Sequence, residues 1–224
     1  MLIVTVKSCL RDLDAGYHDV IRGTWGQALR GKALVRFFVG AETDGKTSRI
    51  FKSDEIVVDA PDDYNGLPFK TRAICQWAVG KRLDHIFLCD TDTYVYVNKL
   101  LSCGYERYDY VGKISRPLGE TFSYDAPNRN GVVQHIEECY PWASGGYGYF
   151  LSQEAATYVA DKFPESWAED LWVGQLMGPE IVKGNLRALD LPAHAYSDHF
   201  PSAKFGHAYD LSDHWMETTH AENK

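Results

Sequence analysis

No stretch of this sequence is apolar for long enough to cross a bilayer. The first run, Leu2-Ile3-Val4-Thr5-Val6, is short and lacks the basic flank and cleavage site of a signal peptide. It reads as a core strand, and the expectation is a soluble, cytoplasmic protein with no membrane anchor. Positive charge is scarce as well: 23 Lys and Arg stand against 31 Asp and Glu, a formal net charge of −8. Nucleic-acid and anionic-lipid surfaces need clustered cations, and none stand out, so no nucleic acid is expected as a partner. The five cysteines (Cys9, Cys75, Cys89, Cys103, Cys139) are scattered with no CxxC pair, which removes paired zinc and redox motifs. Cys9, Cys75 and Cys89 lie in or beside apolar segments, where thiols serve as small hydrophobes. There is no GxGxxG, no Gly-rich phosphate loop and no GxSxG elbow, which argues against dinucleotide enzymes, Walker-type ATPases and α/β-hydrolases.

What remains is the pattern of an α/β domain. A chain of 224 residues that is 45% hydrophobic and 24% charged can bury a substantial core as one domain, residues 1–224. The spacing predicts strands at 2–7, 34–39, 55–59 and 84–89, apolar enough for a sheet covered on both faces. Tyr17, Ile21, Trp25, Ala28 and Leu29 recur at helical spacing with Asp14 as a candidate cap, and residues 67–82 offer a second helix. Residues 114–137 are polar, with Pro117, Gly119, Pro127 and an Asn-Arg-Asn-Gly turn; they read as a loop or hairpin excursion of the lid or recognition kind. Helices are predicted at 153–163 and from Asp170, and about 190–224 reads as a surface wrap with a frayed end after His214.

The strongest local signal is Phe87-Leu88-Cys89-Asp90-Thr91-Asp92, an apolar strand that ends in two carboxylates one residue apart. Open α/β sheets bind ligands at such strand ends. Hard divalent cations on phosphates need oxygen ligands and open positions, and an Asp-x-Asp turn offers both. A cation held there bridges a diphosphate and neutralises charge on a leaving group. The bare tripeptide is common in turns; the buried strand before it gives it weight. A third ligand is sought among His194, His199, His207 and His214, although for any single one of them a solvated or locally hydrogen-bonded position is the usual fate. Imidazole beside carboxylates favours Mn²⁺, with Mg²⁺ as the alternative.

Glu169-Asp170 precedes Leu171-Trp172-Val173-Gly174 at a predicted helix start. A carboxylate there caps the helix or accepts a proton from an acceptor hydroxyl, and spacing does not choose between the two residues. Tyr140-Pro141-Trp142-Ala143-Ser144-Gly145-Gly146-Tyr147-Gly148-Tyr149 joins aromatic faces suited to sugar rings with glycines that let a ligand or another backbone approach. The same pattern serves a tight turn entering a buried strand. Arg22 and Lys70 are cations on otherwise amphipathic helices, where solvated positions are usual; Arg22 either reaches a nucleotide or pairs with a buried acid.

Taken in order, these segments resemble the β-1,3-glycosyltransferases of glycosyltransferase family 31, including the Fringe enzymes. The matching pieces are Ile21-Arg22-Gly23-Thr24-Trp25, Phe38-Val39-Gly40, Asp59 through Asp63-Tyr64-Asn65-Gly66-Leu67-Pro68-Phe69-Lys70-Thr71, Asp90-Thr91-Asp92, Tyr140 through Ser152, and Glu169 through Gly174. They follow the family's order with similar gaps over residues 2–178. The resemblance implies a GT-A fold: α/β, with a Rossmann-like mixed sheet and helices on both faces. It also implies a UDP-sugar donor, Mn²⁺, and inverting transfer of a hexose or N-acetylhexosamine to a hydroxyl of a glycan or glycosylated acceptor in β-1,3 linkage. On that reading Asp92, helped by Asp90, holds the metal, and Asp170 matches the catalytic base. A tail histidine is a metal ligand in Fringe-like members, and the gap from Glu169-Asp170 favours His199, with His194 next. Arg22 and Lys70 match positions near the donor or its supporting sheet, and Thr91, Gly145 and Gly146 are counted with the donor-binding residues. The chain departs from the family in carrying Thr between its acids where relatives often have a third acid. It also lacks the anchor and stem of eukaryotic relatives, which points to a soluble member.

Two other classes compete. A carbohydrate-binding GT-A-like protein without turnover would not need Asp90, Asp92 and Asp170 together. A metal-dependent phosphoesterase would release inorganic phosphate and need no sugar acceptor.

Overall fold

The computed structural model describes residues 2–41, 50–127, 132–199 and 209–223; the side chains at 127, 199 and 209–214 are not described. The chain opens with β1 (Ile3–Lys7), three short helices α1 (Leu10–Asp14), α2 (Tyr17–Gly23) and α3 (Trp25–Ala28), then β2 (Leu34–Ala41), β3 (Glu55–Pro61) and α4 (Leu67–Gly80). There follow β4 (His85–Asp90), β5 (Thr93–Val95), α5 (Val97–Ser102), β6 (Tyr110–Gly112), β7 (Phe122–Pro127) and β8 (Val133–Cys139). The described residues end with β9 (Tyr149–Ser152), α6 (Gln153–Asp161), α7 (Glu169–Val182), β10 (Ala188–Asp190), β11 (Ser197–His199) and α8 (Tyr209–Glu222).

Seven strands form one sheet in the order β10-β6-β9-β4-β1-β2-β3. β1 runs parallel to β2 and β4, β2 to β3, and β6 to β10, while β9 is antiparallel to both its neighbours, β4 and β6. Successive strand side chains point to opposite faces, and both faces are apolar. Val4, Val6, Phe37, Phe87 and Cys89 share one core with Ile21, Trp25, Leu100 and Met216. Phe38, Ile86 and Leu88 share another with Ile74, Ala155 and Val173. Double coverage is why these strands read as continuous apolar runs. The sheet leaves the C-terminal ends of β1 and β4 side by side, with Lys7 in register opposite Asp90.

Two expectations are corrected and a third takes its hairpin form. The periodic stretch after Asp14 is not one helix: Gly16, at φ 89°, precedes α2 in place of Asp14, and Thr24, at φ −108° and ψ −115°, breaks α2 from α3. The tail does not fray at His214, because α8 continues to Glu222 and buries Met216 completely. The polar excursion contains an antiparallel pair, β7 with β8; its Asn-Arg-Asn-Gly turn lies outside the described residues. Among the described residues no helix is long and apolar enough to cross a membrane.

Candidate active site

The register of β1 against β4 brings together a buried cation and two acids that are distant in sequence. Lys7 Nζ lies 3.3 Å from Asp90 Oδ1 and 2.8 Å from Glu169 Oε2. Glu169 Oε1 accepts from Thr71 Oγ1 at 2.9 Å and from the Tyr149 hydroxyl. Donors from β1, α4 and β9 therefore occupy Glu169, as a buried carboxylate requires. Burial works to discharge Lys7, but Asp90 and Glu169 outweigh it and raise its pKa, so the ammonium is permanent.

Asp170, the next residue, is half-buried and differently placed. Its Oδ2 accepts from the Gly145 N–H at 3.0 Å and its Oδ1 from the Leu171 N–H at 2.8 Å. Burial raises its pKa above the ordinary carboxylate value and Glu169 adds to the rise, against the Gly145 N–H and Lys7. The cap position of α7 is Ala168, which has no side-chain cap bond, while Asp170 Oδ1 takes up the free Leu171 N–H of the first turn. A Cβ at Gly145 would stand 3.2 Å from Glu169 Oε2 and 3.4 Å from Asp170 Cβ, so glycine lets the turn come this close. Gly146 O accepts from Thr93 Oγ1 at 2.9 Å, and Thr93 Oγ1 accepts from the Asp90 N–H at 3.2 Å. The glycine turn thus spans from Asp170 to the turn that carries the Asp-x-Asp motif.

A cleft of about 580 Å³ opens beside these groups, with Lys7, Ser8, Asp62, Lys70, Asp90 and Asp92 in its lining. Lys70 Nζ donates to Ser8 O at 2.6 Å and Asp62 Oδ1 at 3.2 Å. Asp62 also accepts from the N–H groups of Leu10 and Gly40, both at 2.7 Å, and so ties the loop after β1 to β2. Thr91, also in the lining, turns its hydroxyl to Asp12 Oδ2 at 2.7 Å. Gly145 and Asp170 do not line this cleft; Lys7, which does, connects to them through Glu169.

Asp90 and Asp92 supply two hard oxygen donors, a set that suits Mn²⁺ or Mg²⁺ with positions left for water or a diphosphate. Among the described residues no group of three His, Cys, Asp or Glu side chains completes a metal cluster. β11 pairs antiparallel with β5 and sets His199 opposite Thr93, so backbone 199 adjoins the Asp-x-Asp turn. His194, at φ 64°, pairs with Asp198 Oδ1 at 3.0 Å and meets the Tyr147 ring edge-on. His207 and the side chain of His214 lie outside the described residues.

Of the two readings of Arg22, the structure shows the pairing with acids. Its guanidinium binds Asp54 at 2.7 and 2.9 Å, Glu55 at 2.6 Å and Asp19 at 2.7 Å, and it lies over the Phe37 ring. These acids take up its donors at the β3 side of α2, and Arg22 is not in the cleft lining. The residues that sequence reasoning missed are Lys7, Ser8 and Asp62. Lys7 did leave a signal, since a lysine closing a fully buried strand needs a partner.

The mixed α/β sheet, with an acid pair at the end of a central strand and beside it the start of a helix that carries two more acids, is a fold of GT-A type. The chain belongs to the galactosyltransferase family, whose profile matches residues 18–183. Two hydroxyproline O-galactosyltransferases of Arabidopsis thaliana are each 29% identical to it over 174 residues, covering 67% of this chain and 25% and 24% of theirs. The chain therefore spans about a quarter of the length of these curated relatives. Its fold is similar to that of a UDP-glucose pyrophosphorylase complexed with UDP-glucose, at TM-score 0.51 and 9% identity over 98% of this chain and 99% of that one. A glycosyltransferase involved in glycosylation of the major capsid of PBCV-1 gives TM-score 0.48 and 16% identity, covering 96% and 99%. These relatives overturn the cytoplasmic expectation. They are plant hydroxyproline O-galactosyltransferases in which the matching stretch is a minor part of a longer chain, so the apolar pattern of this stretch does not assign a compartment.

Proposed function

We propose that this chain is an inverting, metal-dependent transferase that moves a hexose or N-acetylhexosamine from a UDP-sugar to an acceptor hydroxyl, forming a β-1,3 linkage. Galactose is the first donor sugar to test, in keeping with the family. The observation that carries the reading is the Lys7 bridge: it ties Asp90 to Glu169, immediately beside a carboxylate of raised pKa. Bound by Asp90 and Asp92, with His199 as third ligand, Mn²⁺ would neutralise the diphosphate charge of departing UDP. Lys70, fixed between Ser8 and Asp62, adds a buried cation to the same cleft.

Asp170 is the base. Its oxygens are aimed by the Gly145 and Leu171 N–H groups, and its raised pKa improves its affinity for the acceptor's proton. The acceptor oxygen forms its bond to the anomeric carbon as the bond to UDP breaks, and the hydroxyl proton passes to Asp170. Glu169 is unsuited to that role because Lys7, Thr71 and Tyr149 already occupy it. Much of the advantage is alignment of acceptor and donor. The β7–β8 pair is the candidate cover that keeps water from the donor. An alcohol acceptor agrees with the relatives, whose names specify hydroxyproline.

The test is incubation with UDP-galactose, Mn²⁺ and hydroxyproline peptides or glycosides, with the linkage read by NMR. A β-linked product that disappears with EDTA and returns with Mn²⁺ is expected. Full activity in excess EDTA contradicts the metal role, and release of inorganic phosphate without sugar transfer favours a phosphoesterase.

A further inference from the structure

The mechanism above leaves unused a chain of buried groups that ends at the cleft. Ser8 Oγ lies 2.7 Å from His18 Nε2, and His18 Nδ1 lies 3.0 Å from Glu55 Oε1. Ser8, His18 and Glu55 are 4%, 1% and 8% exposed, so bulk water does not set their hydrogen bonding. The polarity of the chain follows from its inner end. Burial would raise the Glu55 pKa, but hydrogen bonds from His18, Arg22 and the Lys52 N–H outweigh it and hold it at about 2. An ionised carboxylate only accepts, so His18 Nδ1 carries a proton. Burial also lowers the His18 pKa in spite of Glu55, which keeps the ring neutral and leaves Nε2 bare. Stacking on Phe37 at 4.1 Å fixes the ring plane.

The Ser8 hydroxyl is therefore the donor to Nε2, because that contact is shorter than the alternative to Cys9 O at 3.3 Å. The Ser8 backbone is held too, its N–H by Phe38 O at 2.8 Å and its carbonyl by Lys70 at 2.6 Å. With its single proton directed inward, Ser8 offers only lone pairs to a ligand in the cleft.

We propose that Ser8 is a specificity residue of the donor site, locked as an acceptor by His18 and Glu55 and matched to a hydrogen-bond donor on the nucleoside, either the base N–H or a ribose hydroxyl. This rests on the nucleotide-sugar reading. A nucleoside with a bare acceptor at that point sets lone pair against lone pair and is rejected, since a buried polar group left unpaired is costly. His18 acts as a positioning residue and Ser8 as the contact.

The experiment measures Kd by calorimetry, with Mn²⁺ present, for UDP, N3-methyl-UDP, 2′-deoxy-UDP and 3′-deoxy-UDP on the wild type and on Ser8→Ala. One analogue is expected to bind the wild type more weakly than UDP by roughly three- to tenfold. Ser8→Ala is expected to weaken UDP by a similar factor and to lose that discrimination, and the analogue that behaves so tells base from ribose. Equal discrimination in both proteins overturns the inference while leaving the nucleotide-sugar reading intact. If UDP itself does not bind the wild type, the nucleotide-sugar reading falls and this inference with it. Should Ser8→Ala fail to fold, nitrogen NMR of the wild-type His18 ring decides: a proton on Nδ1 with Nε2 bare supports the lock, and a proton on Nε2 overturns it.

Discussion

Lys7 Nζ and Glu169 Oε2 lie 2.8 Å apart although 162 positions separate them in sequence. This contact joins the end of the first strand to the start of α7, and the same ammonium reaches Asp90. One buried charge thus sets the distance between the two halves of the proposed reaction centre. Its loss has consequences for both stability and chemistry.

Lys7→Met fits the space of the lysine stem but leaves the buried Glu169 side chain without its cation. Breaking one side of a buried ion pair costs about 3–5 kcal/mol, and urea denaturation is expected to show a loss of that order. A loss below about 1 kcal/mol, the range of exposed pairs, would mean that the bridge is not a buried one.

Glu55 links pH to stability in the acid range. Its pKa is lowered from 4.5 to about 2, so the folded state binds this proton less tightly than the unfolded chain. The stability it contributes is full above the unfolded value and is lost as pH falls from about 4.5 towards about 2. Glu55→Gln is expected to flatten that part of the melting-temperature profile, and an unchanged acid slope would refute the assignment.

Asp170 has the opposite sign. Its folded pKa lies above the ordinary 3.8, so the stability tied to its proton is full below that value and is lost as pH rises through the folded pKa. The wild type is therefore expected to lose melting temperature as pH rises through the folded Asp170 pKa, and Asp170→Asn, which has no titrating group there, is expected to lack that part of the calorimetric profile. The same pH dependence in both proteins would contradict the direction of the shift.

Gly145→Ala places a methyl 3.2 Å from Glu169 Oε2 and 3.4 Å from Asp170 Cβ. These are tight contacts that shift a carboxylate by tenths of an ångström while leaving the core untouched. The expected result is a native melting profile with kcat reduced about ten- to a hundredfold, the scale of a misplaced reacting group. An unchanged kcat would show that the turn does not position Asp170.

Sequence alone marked the sheet and the Asp-x-Asp turn because both are local. Apolar runs at 84–89 and 2–7 correspond to β4 (His85–Asp90) and β1 (Ile3–Lys7), and the two carboxylates follow at once. What it left open depends on contacts across the fold. Glu169 and Asp170 are indistinguishable by spacing, and they separate only when Lys7, Thr71 and Tyr149 take up one of them. Arg22 reads as a motif cation until Asp54 and Glu55, more than thirty positions away, take up its donors. The break at Thr24 was hidden because α2 and α3 keep a helical spacing of apolar residues across it.

The most direct measurement is the turnover of Asp170→Asn set beside its affinity for UDP with Mn²⁺. The amide keeps the shape of the side chain but cannot take the acceptor's proton. A fall in kcat of roughly 10²- to 10⁴-fold, with the UDP Kd unchanged, is the expected result. Turnover comparable to wild type would remove Asp170 as the base and with it the proposed reaction centre.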